Sequence, residues 1–137
     1  MMPRTLVSVL LSALLLAGCA DDPLDPLRSI RIEVPSTVTF VEPGPTDVAF
    51  VVRNTGRRAV ALQHCGESLV VYVDLWGGEE WMQLTEVLCP EALAFTDFAA
   101  GAEREGFFRL NFAGPARYRL RIESEDGDIT SHAIDLR

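Results

Sequence analysis

The residue types best suited to chemistry in this chain are its three cysteines and two histidines, namely Cys19, His64, Cys65, Cys89 and His132. Thiolates and imidazoles are ligands for zinc and copper, and a thiolate with a base in reach can act as a nucleophile. The spacing favours neither kind of site, because adjacent residues such as His64 and Cys65 face opposite ways on a strand. No serine lies in a nucleophile-elbow setting. We therefore predict a protein that is not an enzyme and needs no cofactor.

Cys19 follows a segment with the features of an export signal. Arg4 supplies a positive charge, and the apolar run from Thr5 to Ala17 is shorter than the roughly 20 residues of a membrane-spanning helix. The run closes on Leu16-Ala17-Gly18-Cys19, which resembles the lipobox of bacterial lipoproteins. The resemblance implies that residues 1–18 are a signal peptide, that the Cys19 thiol is acylated, and that lipid anchors the protein in a membrane.

Residues 19–29 are predicted to be the lipidated cysteine and a tether. Three aspartates and two prolines lie in this stretch, which contains little to bury. Ala20 rather than aspartate follows Cys19. By resemblance to enterobacterial sorting, this implies the outer membrane.

Cys65 and Cys89 remain as an even pair in an exported protein. Oxidising compartments favour disulfides, so we predict a Cys65–Cys89 bridge and two surface histidines. The alternative is that these cysteines and both histidines bind a metal.

The charge of the chain argues against two kinds of partner. It has 12 basic residues, all arginine, against 20 acidic ones, for a net charge of −8. This sign argues against nucleic acid, and against a peripheral protein held electrostatically on anionic lipid.

The pattern downstream of the tether is typical of β-strands. Apolar and polar residues alternate, and glycine, proline, asparagine and aspartate interrupt them at short intervals. The spacing predicts one all-β domain, residues 30–137, with about 7–9 strands in an antiparallel sandwich or barrel.

Three segments carry specific expectations. Asn54-Thr55-Gly56 is expected to turn the preceding strand back on Ala59 to Gln63 as a hairpin. Leu69 to Leu75 is apolar enough for a strand buried on both faces, and a glycine turn should connect it to a strand that starts at Trp81. Ala92 to Phe98 suits either a strand or a short helix.

The clearest amphipathic strand carries Tyr118, Leu120 and Ile122 on one face. Tyr118 follows the corner at Gly114-Pro115. In immunoglobulin-like sandwiches, a tyrosine in this position ties back the upstream backbone with its phenol, although an ordinary core tyrosine would look the same in sequence. The immunoglobulin-like sandwich is therefore the favoured fold.

The segment from Phe50 to Arg121 resembles the immunoglobulin-like domains of bacterial lipoproteins and, more loosely, the BsuPI family of intracellular proteinase inhibitors. The matching features are Asn54-Thr55-Gly56, the turn before Trp81, the Gly101 loop and Tyr118-Arg119-Leu120. The resemblance implies the fold and, for the second family, proteinase inhibition. The chain departs from the inhibitors in its export signal and its cysteine pair, and no reactive-site residue can be carried over.

Three arginines alternate with the apolar residues of the amphipathic strand. Arg117, Arg119 and Arg121 would stand about 6.6 to 6.8 Å apart on one face, where they could bind an acidic polymer or an anionic headgroup. The alternative is a solvated face in which the arginines pair with carboxylates such as Glu123, Glu103 and Glu105.

Aromatic side chains could add a partner surface, whereas the alternative is burial in the core. We take Trp76, in the glycine turn, together with the three arginines as the candidate interaction surface. The aromatic residues considered are Trp76, Trp81, Phe95 and Phe98.

These features predict a membrane-anchored lipoprotein of the cell envelope, on the periplasmic or surface face of the outer membrane. Its immunoglobulin-like domain would bind another envelope protein or a glycan without catalysis. The alternatives are an extracytoplasmic proteinase inhibitor of BsuPI-like type and a metal-handling periplasmic protein.

Overall fold

The computed structural model describes residues 25–40, 44–111 and 115–137. The segment that resembles a lipobox, with Cys19, lies outside the described residues. Within those ranges the regular elements are one short 3-10 helix (Pro26–Ser29) and twelve strands, and no helix is long and apolar enough to cross a bilayer. The strands are β1 (Ile30–Glu33), β2 (Thr37–Val38), β3 (Thr46–Asn54), β4 (Val60–Cys65), β5 (Ser68–Leu69), β6 (Tyr72–Trp76), β7 (Trp81–Gln83), β8 (Leu93–Phe98), β9 (Glu103–Leu110), β10 (Ala116–Ser124), β11 (Gly127–Thr130) and β12 (Ile134–Leu136).

The strands form two sheets around one core. The first sheet has the order β1-β3-β9, with antiparallel pairs throughout. The second is built around β10, which pairs antiparallel with β4, β6, β11 and β12. β8 lies beside β4, β7 lies beside β6, and β2 runs parallel to β12. This architecture confirms the predicted immunoglobulin-like antiparallel β-sandwich, but the described ranges contain twelve strands rather than the predicted 7–9.

Alternation along the strands decides which side chains form the core. In β10, Tyr118, Leu120 and Ile122 are at most 1% exposed, and Val48 and Val52 of β3 belong to the same core. Burying a side chain of this size contributes about 1.5–3 kcal/mol to folding. Burial also raises the pKa of the Tyr118 phenol. Gly114 of the predicted corner lies outside the described residues, so the tyrosine corner stays a prediction.

The hairpin expected at Asn54-Thr55-Gly56 is wrong. The strand that ends at Asn54 pairs with β1 and β9, whereas the next strand belongs to the second sheet and pairs with β8. The loop between them therefore crosses from one sheet to the other. Asn54 fixes the crossing, because its side-chain amide donates to the carbonyls of Arg58 (2.8 Å) and Phe98 (2.9 Å) and accepts from Gly56 (3.0 Å).

The apolar segment Leu69 to Leu75 does not form one strand. It divides between β5, which pairs with β4, and β6, which pairs with β10. Tyr72, Val73 and Asp74 are buried in succession, as the pattern predicted. The turn before Trp81 is confirmed, and its Gly78 adopts a φ of 98° that favours glycine. Residues 93–98 form a strand rather than a helix.

The 3-10 helix defines one end of the sandwich, which we call the proximal end. Ser29 is buried, and its carbonyl accepts a hydrogen bond from the backbone of Thr55 (2.8 Å). The side chain of Leu27 lies beside Gly127 in the β10–β11 turn. The tether predicted for residues 19–29 therefore ends earlier, because Pro26–Ser29 packs against the folded domain.

We predict that Asn54→Ala lowers the free energy of unfolding by about 2 to 4 kcal/mol. The substitution leaves the carbonyls of Arg58 and Phe98 and the N–H of Gly56 without their hydrogen-bond partner at the sheet crossing. The measurement is urea denaturation followed by tryptophan fluorescence. Asn111 is exposed, so Asn111→Ala is the matched control and should stay within about 0.5 kcal/mol of the wild type. Equal stability of both variants would contradict a structural role for Asn54.

Candidate interaction surface

The predicted arginines and Trp76 come together on the outer face of the second sheet, where β10, β6 and β7 lie side by side. Arg119 is opposite Asp74, and Arg121 is opposite Tyr72. Trp76 is opposite Trp81 across the β6–β7 hairpin. We call this the β6–β7–β10 face, and its members are Tyr72, Asp74, Trp76, Trp81, Gln83, Arg117, Arg119 and Arg121.

Asp74 is the centre of this face. Its side chain is only 3% exposed, and its carboxylate accepts hydrogen bonds from Arg119 (3.1 Å) and Arg121 (3.2 Å). A buried carboxylate is strongly disfavoured unless it is paired, and here two guanidinium groups pair with it. The three side chains bind β6 to β10 from the outside.

Arg121 is committed to the fold. Besides Asp74, its guanidinium donates to Glu123 (2.8 Å) and Gln83 (2.7 Å), and it stacks on the ring of Tyr72 at 4.6 Å. Burial opposes its charge, but the hydrogen bond to Glu123 and the field of Asp74 prevail and raise the pKa of Arg121. Its side chain is 11% exposed, so little of it is available to a ligand.

Tyr72 extends the same network inward. Its hydroxyl donates to Gln63 (2.7 Å), whose amide in turn donates to Glu123 (3.2 Å). Burial, followed by the negative charge of Glu123, raises the pKa of Tyr72. The phenol therefore stays protonated and keeps its role as a donor.

Arg119 and the two tryptophans form a stacked, partly exposed group on this face. The Arg119 guanidinium lies 4.6 Å from the centre of the Trp81 ring, and the Trp81 and Trp76 rings are 5.3 Å apart at 56°. Trp76 is 36% exposed and the Arg119 side chain 24%. A stacked guanidinium and an aromatic pair hold each other in place, which lowers the entropy lost when a partner binds.

Arg117 and the local charge balance limit what this face can bind. Arg117 donates to Asp135 (2.8 Å), and this hydrogen bond lowers the pKa of Asp135. The three arginines are surrounded by four carboxylates, namely Asp74, Glu123, Asp128 and Asp135. The face therefore carries no excess of positive charge for an acidic polymer or an anionic headgroup.

The predicted carboxylate partners of the arginines were right for Glu123 and wrong for Glu103 and Glu105. Both lie on β9 in the first sheet, where Glu103 pairs with Arg53. The arginine face was also expected to be solvated, whereas Arg121 is nearly covered. Asp74 was missed, although a charge inside an apolar strand is a sequence signal that demands a buried partner.

The disulfide predicted between Cys65 and Cys89 is confirmed, with their Cα atoms 5.6 Å apart. The bridge leaves neither sulfur as a thiolate for a metal or for nucleophilic chemistry. His132 is exposed as predicted, but His64 is buried, and its Nδ1 lies 2.8 Å from the carbonyl of Leu62. In the described ranges, no group of three or more His, Cys, Asp or Glu side chains is placed to hold a metal ion.

The other two aromatic candidates, Phe95 and Phe98, do not lie on the β6–β7–β10 face. Phe98 is 3% exposed and belongs to the core, so it is not part of a ligand platform. Phe95 is 43% exposed, but it lies on β8, beyond β4 from the β6–β7–β10 face.

Comparison with known proteins adds information on the fold. No protein-family model and no curated protein matches the sequence. The structure is similar to part of the secreted serine protease VesC from Vibrio cholerae, with a TM-score of 0.50 and 17% identity over 85% of this chain. This chain spans 24% of VesC.

Two isolated domains are similar at lower scores. The CARDB domain of the PF1109 protein from Pyrococcus furiosus, solved with di-metal ions, gives a TM-score of 0.43 and 12% identity over 80% of this chain and 86% of that one. The PapD-like domain 7 of human CEP192 gives a TM-score of 0.38 and 12% identity over 79% of this chain and 82% of that one. At these identities the comparisons concern the sandwich fold alone.

We predict that Asp74→Ala lowers the free energy of unfolding by about 3 to 5 kcal/mol, because it leaves two guanidinium groups facing each other without their shared carboxylate. Asp128 contacts the same Arg121 at 3.5 Å but is 54% exposed. Asp128→Asn should therefore change stability by about 0.5 kcal/mol or less. Urea denaturation of both variants measures the difference, and equal losses would refute the central place of Asp74.

Proposed function

We propose that this protein is a lipid-anchored, non-catalytic interaction module of the cell envelope, which contacts a partner through the β6–β7–β10 face. The observation that carries the proposal is the exposed Trp76, which packs beside Trp81 on the sheet face, where Trp81 in turn stacks on Arg119. Tryptophan and arginine are the side chains most enriched in the energetic centres of protein interfaces.

Two features support the location. The sequence Leu16-Ala17-Gly18-Cys19 resembles a lipobox. The Cys65–Cys89 disulfide indicates folding in an oxidising compartment, outside the cytoplasm. The outer membrane is the proposed site, from the residue that follows Cys19.

The position of the face suits an anchored protein. The chain enters the domain at the proximal end, beside Thr55 and Gly127. Trp76 follows Leu75, which pairs with Tyr118 at the opposite end of β10 from Ser124. From Tyr118 to Ser124 the strand rises by about 20 Å. The tryptophans therefore lie toward the end of the sandwich remote from the tether.

The absence of catalysis is part of the proposal. Its support is the residue inventory, in which both cysteines of the folded domain are oxidised and His64 is buried. Measured inhibition of a serine proteinase by the purified protein would instead favour the inhibitor hypothesis.

We predict that Cys19→Ser abolishes anchoring. The variant should incorporate no radiolabelled palmitate and should retain its signal peptide, because the substitution removes the thiol that would be acylated. Fractionation and mass spectrometry of the N-terminus measure both effects. Cys65→Ser with Cys89→Ser is the control and should be acylated normally. Equal labelling of Cys19→Ser and the wild type would overturn the anchor.

We predict that Trp76→Ala weakens partner capture about tenfold or more, as expected for an aromatic residue at the centre of an interface. The measurement is recovery of cross-linked partners from detergent-solubilised envelopes. Phe107 is 64% exposed on the first sheet, so Phe107→Ala is the matched control and should leave capture unchanged. Capture that survives Trp76→Ala would place the contact elsewhere.

A further inference from the structure

The free edge of β8 is a second surface with the properties of a binding site. In the described part of the chain, β8 pairs with β4 and has no strand on its other side. Five of its six residues, Leu93 to Asp97, are exposed. Thr96 is exposed although Leu62, opposite it, is fully buried, so this strand projects beyond the core.

The direction of the backbone groups on β8 follows from the bonds of β4. The carbonyl of Gln63 accepts from Val70 (2.9 Å) and that of Ala61 from Glu125 (3.4 Å), both on the side away from β8. Alternate residues of a strand direct their N–H and C=O groups to opposite sides. The β8 residues opposite Ala61 and Gln63 therefore direct their own backbone groups to the free edge; these are Asp97 and Phe95.

The edge of the first sheet provides an internal comparison. β9 pairs with β3 alone, and half of its eight residues are charged: Glu103, Arg104, Glu105 and Arg109. Charged residues on an edge strand discourage pairing with another chain. β8 has a single charge, Asp97, and presents Leu93 and Phe95, each 43% exposed, at alternate positions. This edge lacks the protection that β9 has.

The charges around β8 specify the occupant. The carboxylate of Glu91 lies against Gly66 in the β4–β5 turn, next to exposed Glu67. Within the described ranges neither of them, nor Asp97, forms a salt bridge. An antiparallel second copy of β8 would bring Asp97 of one molecule toward Glu91 of the other, which is repulsive. A basic segment would instead be attracted.

We propose that β8 binds an extended segment of a partner protein, in which basic residues accompany apolar residues at alternate positions, by adding it as a strand to the second sheet. The partner backbone pairs with Phe95 and Asp97, its apolar side chains cover Leu93 and Phe95, and its cations meet Glu67 and Glu91. This site is separate from the β6–β7–β10 face, and its test does not depend on the proposed function.

The test uses a fluorescent peptide of alternating arginine and valine, titrated against the full chain in detergent and followed by anisotropy. A peptide of alternating glutamate and valine is the control and should not bind. Hydrogen exchange should show the amides of Phe95 and Asp97 becoming protected in the complex, because they are the amides that face the free edge.

Two substitutions of Phe95 distinguish the contribution of its backbone N–H to peptide binding from that of its side chain. Phe95→Pro removes an outward N–H without breaking the β4 ladder, and it should bind the peptide about tenfold more weakly than Phe95→Ala. Equal affinities of these two variants would overturn the proposal. So would a chain that dimerises in sedimentation and loses the dimer in Phe95→Pro, because the occupant would then be a second copy.

The charge requirement has an independent test that does not alter the strand. Combining Glu67→Gln with Glu91→Gln should weaken binding of the arginine–valine peptide about threefold to tenfold at low salt. Glu79→Gln with Glu80→Gln removes the same charge at the β6–β7 turn and should have no effect. A loss confined to the second pair would place the peptide at the tryptophans and refute the β8 site.

Discussion

The burial of one carboxylate, Asp74, between two guanidinium groups is the interaction on which the outer face of this domain depends. An unpaired carboxylate at that depth would be incompatible with a stable sheet, and a single arginine would leave part of it unsatisfied. Arg119 and Arg121 come from one neighbouring strand and meet it together. The pairing fixes the register of β6 against β10 and, through the hairpin, the position of Trp76 and Trp81.

Aromatic rings also hold the two arginines that pair with Asp74. Each guanidinium that contacts Asp74 also lies 4.6 Å from the centre of an aromatic ring, Arg119 on Trp81 and Arg121 on Tyr72. The sequence suggests a row of unpaired positive charges on this face. In the structure these arginines form ion pairs with neighbouring carboxylates, and Arg121 stabilises the fold. Trp76 is exposed on this face and carboxylates offset its arginines, which favours contact with a partner protein over binding of anions.

The two candidate surfaces would recognise partners by different physics. The β6–β7–β10 face presents side chains held rigid by stacking, so its selectivity lies in shape. The free edge of β8 presents backbone groups, for which any extended chain qualifies, so its selectivity must come from the alternating apolar side chains and the carboxylates of Glu67 and Glu91. If both proposals hold, one small domain would engage two partners without competition between them.

The sequence alone was sufficient for the local features of this protein. Alternation in residues such as Tyr118, Leu120 and Ile122 identified strands and their buried faces, because side-chain period follows directly from backbone geometry. The even number of cysteines left after Cys19, together with the predicted export signal, predicted the Cys65–Cys89 bridge. The turn before Trp81 was recognisable from its glycines.

Only the tertiary structure decided which strands are neighbours. Asn54-Thr55-Gly56 has the composition of a hairpin turn but crosses between sheets, since a turn signal reports a change of direction and not the strand that will accept the backbone bonds. Likewise the arginines pair with Asp74 and Asp135 rather than Glu103, because the partner of a charge is set by pairing across strands distant in sequence. Local patterns encode conformation; proximity between distant residues arises from packing the whole core at once.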